Sequence, residues 1–148
     1  MSTRDKTSIL KRAHEVCAER GARLTPQRER VLEIVIDAPG PLTAYDILDR
    51  LQEGNKRPAP PTVYRALDFL LEQGLLHKLQ TLHAFVHCEH PEEPHHSQFF
   101  ICADCGDVDE VENAHVAESL ASAEAERGFT ADRATVEVVG TCSDCSKG

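Results

Sequence analysis

Two CxxC pairs, Cys102-Ala-Asp-Cys105 and Cys142-Ser-Asp-Cys145, carry the most specific chemistry in this 148-residue chain. Each pair sets two thiols on a tight turn, a separation that suits two corners of a tetrahedron with Zn–S bonds of about 2.3 Å. The 36 residues between the pairs give the chain room to run out, return and close the site with four sulfurs. Such a site keeps no open coordination position, so the spacing predicts structural zinc. A redox dithiol or a pair of disulfides would use the same residues. The N-terminal segment is charged and polar with no secretory signal, however, and CxxC pairs in a reducing compartment serve metals more often than disulfides. The expected setting is the cytoplasm.

Histidines gather just upstream. His77, His83, His87, His90, His95 and His96 fall within twenty residues, with Cys88 among them. A thiolate with imidazoles suits Zn²⁺, whereas oxygen-richer donor sets suit iron(II) or manganese. Four donors fill a tetrahedron, so His83, His87 and His90 are expected to be exposed rather than ligating. His115 could join His90 or His96 in an additional site. An enzyme reading starts from His87-Cys88-Glu89, whose H-x-E pattern before a CxxC echoes zinc deaminases. That signature needs Pro before the CxxC and three ligands plus a water. Here Ile101 precedes the pair and a second CxxC completes the tetrahedron, so no catalytic residue is expected.

The formal net charge of −9 is unevenly placed: residues 1–80 carry 13 Lys/Arg against 11 Asp/Glu, and residues 81–148 carry 3 against 14. Arg20, Arg23, Arg28, Arg30, Lys56, Arg57 and Arg65 all lie in the first part. Phosphate contact needs a local basic face and not a basic molecule, so a nucleic-acid role for the first half is permitted. No apolar run approaches the roughly 20 residues of a membrane span.

These residues need elements to hold them. Apolar periodicity predicts a helix over about 5–20 with Gly21 as its stop. A second helix starts after the N-cap pair Thr25-Pro26 and ends at Pro39-Gly40-Pro41. Thr43 can cap a third helix bearing Ile47, Leu48 and Leu51. Residues 54–61 read as a Pro-rich loop, and a fourth helix carries Val63, Ala66, Leu67, Leu70 and Leu71 to Gly74. Residues 75–79 and 84–88 read as a hairpin. Together these make a winged helix-turn-helix whose fourth helix presents its N-terminal residues to the major groove. Residues 89–97 (Glu-His-Pro-Glu-Glu-Pro-His-His, then Ser97) form the expected hinge between a domain at 1–88 and another at 98–148. In the latter, strands at 99–101 and 108–111, a helix at 113–127 with His115, Leu120 and Ala123 turned inward, and a strand at 134–139 predict a small α/β domain. The fold class is thus α+β. A zinc-ribbon interaction module with no DNA role would leave the basic first half unexplained.

Arg23-Leu24-Thr25-Pro26-Gln27-Arg28, Pro61-Thr62-Val63-Tyr64-Arg65-Ala66-Leu67, the His-rich hinge and the two CxxC pairs resemble the ferric uptake regulator superfamily from about residue 10 to Cys145. The run from Ala59 to Gly74, Thr43-Ala44-Tyr45-Asp46 and Cys88 favour its zinc-uptake branch. The resemblance implies a homodimeric, zinc-responsive repressor of zinc-uptake genes that binds palindromic operator DNA. It implies two zinc ions per subunit: one structural, on the four cysteines, and one regulatory, on His77, Cys88, His95 and Glu110, with His96 as the alternate to His95. It implies base contacts from Tyr45 and Arg65, with Thr62 and Tyr64 beside them. An iron-, manganese- or peroxide-responsive regulator on the same scaffold is the alternative, and Cys88 discriminates.

Overall fold

The computed structural model describes residues 5–52, 58–88, 91, 97–131 and 134–147. Lys56, Arg57, His90, His95, His96 and most of the expected hinge lie outside the described residues. The chain divides into two compact units, Met1–Glu93 and Pro94–Gly148.

In the first unit, helix α1 (Lys6–Glu19) begins where the Asp5 carboxylate accepts the Ser8 N–H at 2.8 Å. Helix α2 (Pro26–Asp37) follows Thr25, whose side chain accepts the Arg28 N–H, with Pro26 in the first turn. Strand β1 (Leu42–Thr43) is a two-residue element that the sequence reading missed, because Thr43 reads locally as a cap. Thr43 does both. It pairs with Ala84, and it exchanges hydrogen bonds with Asp46 at 3.1 Å in each direction to open α3 (Ala44–Arg50). Such a reciprocal box satisfies two helix-end donors at once.

Helix α4 (Pro60–Glu72) starts earlier than the expected loop allowed. Proline tolerates a first helical turn, where its missing N–H would have no partner anyway. The helix ends in a Schellman arrangement: Leu75 N–H donates to Leu70 C=O at 2.9 Å and Gly74 N–H to Leu71 C=O at 3.1 Å. Gly74 takes φ +70° there, a conformation that costs a side-chain-bearing residue. Strands β2 (Leu76–Leu79) and β3 (Ala84–His87) complete an antiparallel sheet of order β1-β3-β2. Val31, Leu32, Ile47, Val63, Leu67, Leu70 and Leu76 fill the core between helices and sheet. This is a winged helix, with β2–β3 as its wing and α4 the helix that the sequence assigns to the major groove.

The second unit is a three-stranded sheet of order β5-β4-β6, built from β4 (Ser97–Cys102), β5 (Val108–Val111) and β6 (Thr135–Gly140). Strand β4 runs antiparallel to β5 and parallel to β6. Strand β5 returns the chain to the end where β4 begins, and α5 (Ala114–Arg127) then carries it past β4 to the opposite edge, where β6 pairs in parallel. The Asn113 cap of α5 accepts the His115 and Val116 N–H groups, and Gly128 at φ +61° ends the helix. The inward expectation fails for His115 and Ala123, both exposed. The helix is rich in Ala, Ser and Glu and buries no residue completely. Val116, Ala117, Leu120 and Glu124 are its half-covered residues. A short helical turn, α6 (Ser143–Ser146), closes the described chain. Among the described residues no helix is long and apolar enough to cross a membrane.

Candidate metal centres and nucleic-acid interface

The second unit brings Cys102, Cys105, Cys142 and Cys145 together, one donor from each lying within 4.8 Å of the others. Strand β4 delivers Cys102 at its end. The chain then turns tightly, with Gly106 N–H on Cys102 C=O and Cys102 N–H on Asp107 C=O, both at 2.9 Å. Cys105 comes back over that turn. The parallel register sets Gly140 of β6 beside Cys102, and Ala103 N–H donates to Gly140 C=O at 2.8 Å. Cys142 therefore arrives next to Cys102, and α6 turns Cys145 in after it.

The four sulfurs fit zinc. Cys105 Sγ and Cys142 Sγ are 3.8 Å apart, far beyond a disulfide bond and close to the edge of a ZnS₄ tetrahedron, roughly 3.8 Å for bonds of about 2.3 Å. The N–H groups of Cys105 and Cys142 donate to Cys102 Sγ at 3.5 and 3.4 Å. These N–H groups, that of Cys105 foremost, pull the Cys102 thiol down to about 6. Cys105, although its sulfur takes the Asp107 N–H, is pushed up by hydrogen bonding with Cys102 and by burial. Cys145 is pushed up by hydrogen bonding with Cys142, Cys102 and Cys105. Cys105 and Cys145 thus crowd one ready thiolate at Cys102, the arrangement that a divalent cation relieves by displacing protons.

In the first unit, His77 on β2 and Cys88 just beyond β3 present donor atoms within 4.8 Å of one another. The hairpin does this by pairing His77 with Val86 and by holding Cys88 N–H on Leu75 C=O at 2.9 Å. Cys88 is buried at 3% exposure. Glu110 sits half-buried on β5, where its carboxylate accepts the Ser97 hydroxyl at 3.4 Å. No motif or spacing marks Ser97 as its neighbour. His83 is exposed at the wing tip with φ +50°. His87, expected to be exposed, is half-buried, because its place opposite Leu76 keeps it within the sheet.

Thr62, Tyr64 and Arg65 share the exposed face of the first α4 turns, while Val63, Ala66 and Leu67 point into the core. Tyr45 stands on the first turn of α3 with 67% of its surface open, and Tyr64 with 56%. The two rings flank one apolar groove of about 510 Å³, floored by Ala44, Leu48, Pro60 and Val63. That groove was illegible in the sequence, since it depends on how α3 crosses α4. Two of the basic residues are drawn into the fold. Arg28 lies 3.8 Å over the Phe69 ring and donates to Arg23 C=O, and Arg20 donates to two backbone carbonyls. Arg23 and Arg65 remain exposed.

Residues 19–139 match the ferric uptake regulator family. The zinc uptake regulation protein of Escherichia coli strain K12 is 42% identical over 138 residues, covering 93% of this chain and 81% of that protein. The crystal structure of holo XcZur superposes with a TM-score of 0.85 at 42% identity, covering 95% of this chain and 99% of that one. A zinc uptake regulator complexed with zinc and DNA gives 0.88 at 40% identity, over 99% of this chain and 97% of that one. With its winged helix, its four-thiol cluster and these relatives, the chain belongs to the ferric uptake regulator family, on the zinc-uptake branch.

Proposed function

We propose that the chain is a cytoplasmic, zinc-responsive transcriptional repressor, acting as a homodimer on palindromic operator DNA and silencing zinc-uptake genes. The observation that carries this reading is the paired His77 imidazole and buried Cys88 thiol at the base of the wing. A soft donor pair on the very unit that presents α4 is what a zinc sensor of DNA binding requires. The relatives, one of them complexed with zinc and DNA, support the same reading.

Each protomer holds two zinc ions. Cys102, Cys105, Cys142 and Cys145 form the closed structural site; His77, Cys88, His95 and Glu110 form the regulatory one, with His96 as the alternate to His95. Zinc, when bound, would supply a tie among these residues and no reactive position. His77 and Cys88 belong to the winged helix and Glu110 to the second unit, so ligation by all of them restricts how the two α4 helices of a dimer are spaced. Half-sites one helical turn apart, about 34–36 Å, select one such spacing. Arg65 and Tyr45 read bases, with Thr62 and Tyr64 beside them. The dimer forms through the second unit, whose sheet exposes Phe100 and Val138 side by side in register.

The test is Cys88→Ser. The variant should fold, dimerise and keep about one zinc per chain instead of about two, and its DNA binding should no longer rise with zinc. A variant that responds to zinc at wild-type concentrations, with iron(II) or manganese(II) as the stronger co-repressor, overturns the zinc reading and leaves the family intact.

A further inference from the structure

We infer that Arg20 is a positioning residue: it fastens the chain leaving the wing to the end of the reader helix, and so sets how strongly zinc at the regulatory site is felt by α4. The inference rests on the regulatory site proposed above. Arg20 caps the C-terminus of α1. Its guanidinium spans two backbone carbonyls distant in sequence. Nη1 donates to Gln73 C=O, and Nη2 to Pro91 C=O at 3.1 Å.

Both acceptors have meaning. Gln73 is the C-cap of α4. The Schellman bonds of that terminus use the carbonyls of Leu70 and Leu71, leaving the Gln73 carbonyl to another donor. Helix ends with such carbonyls carry partial negative charge and attract a cation. Pro91 lies between Cys88 and the expected ligand His95. The chain beyond the wing is therefore held to the end of α4 at two points. Cys88 N–H bonds Leu75, directly after the Gly74 stop, and Pro91 bonds the cation that also grips Gln73.

This placement shortens the tether that ligation must close. Counted from Cys88, the next expected ligand is seven residues on; counted from Pro91 it is four. Loop-closure entropy scaling makes that difference about twofold in binding. A second effect adds to it. With Pro91 fastened, displacement of the chain by a ligated His95 is delivered to Gln73 and hence to α4, and coupling between sites needs such a connected element. Arginine is the residue for this position because its rigid fork serves two acceptors in one plane. Lysine is a point charge that does not hold both in that geometry.

The rival role for an exposed arginine in the basic half is a phosphate contact, and Arg20→Lys separates the two. The full-length protein, Arg20→Lys, Arg20→Ala and Cys88→Ser should be compared for four-cysteine zinc content, thermal midpoint, competition of the second zinc with a chromophoric chelator, and operator affinity with and without zinc. Both Arg20 variants should keep the four-cysteine zinc and lose about two- to fivefold in second-site zinc affinity and in zinc stimulation of operator binding. Arg20→Lys should keep the zinc-free affinity and its salt slope. If lysine restores wild-type stimulation, the role is charge on phosphate and the inference is overturned. Stimulation absent in Cys88→Ser yet intact in both Arg20 variants overturns the inference alone. Stimulation that survives Cys88→Ser overturns the regulatory-site reading, and the inference with it. Should Arg20→Ala fail to fold, Arg20→Lys carries the same comparison.

Discussion

Arg65 and Cys102 show how one side chain acquires its role from its place on an element. Arg65 lies on the exposed face of the first α4 turns, where a guanidinium can make a paired contact to guanine O6 and N7. Arg65→Ala should weaken operator binding by about 1–3 kcal/mol and relax base preference at the contacted position. Fluorescence anisotropy on operator variants checks this; a uniform loss over all sequences with a shallower salt slope would assign Arg65 to phosphate. Cys102 is the sulfur that two N–H groups already favour as thiolate. Cys102→Ser should cost the dimer and DNA binding together, because the binding free energy of such a site is folding free energy. The neighbouring thiols give a pH dependence. Cys105 and Cys145 are pushed up, so both hold protons that zinc must displace. Raising pH relieves that competition, and chelator competition should show the four-cysteine site tightening as pH rises across the neutral range.

At the scale of elements, two termini matter more than their length suggests. Thr43 closes the β1 pairing and opens α3, and Tyr45 stands on the turn that follows. Thr43→Ala should cost about 1 kcal/mol of stability through the lost cap, read as a lower urea midpoint, and should weaken operator binding beyond that by loosening Tyr45. Gly74 has nothing within 4 Å of a would-be Cβ but sits at φ +70°. Gly74→Ala therefore tests backbone conformation alone and should cost about 1–2 kcal/mol. Gly40, also in open space and without a left-handed φ, is the matched control, and Gly40→Ala should leave the midpoint nearly unchanged.

For the whole molecule, the exposed Phe100 and Val138 make the assembly testable. Phe100 is 51% and Val138 43% exposed, and they are register partners on neighbouring strands. An aspartate at either position places a charge in the proposed interface, which disfavours association strongly. Phe100→Asp and Val138→Asp should sediment as monomers, keep the four-cysteine zinc, and bind operator with at least tenfold lower affinity, since one winged helix then meets one half-site. Dimers that persist in both variants would move the interface elsewhere.

What the amino-acid sequence determined by itself was local or spaced by rule. Thr25-Pro26 and Thr43 announce helix starts because a cap and its acceptor lie within a turn of each other. Gly21, Gly74 and Gly128 mark stops because each takes the left-handed conformation. The CxxC pairs point to a closed four-thiolate zinc site by donor type and spacing, whatever the fold around them. Tertiary structure decided what depends on distant partners. Strand β1 exists only because Ala84 and Phe85 lie beside it. His115 faces outward because α5 has too few large apolar side chains to bury a full face. Cys142 meets Cys102 through the parallel pairing of β6 with β4, which no pattern of alternation encodes. The groove between Tyr45 and Tyr64 and the reach of Arg20 to Gln73 and Pro91 are of the same kind. Backbone propensity and capping act over one to five residues, whereas these contacts join residues about 20 to 70 apart, and only the packing of the whole unit selects them.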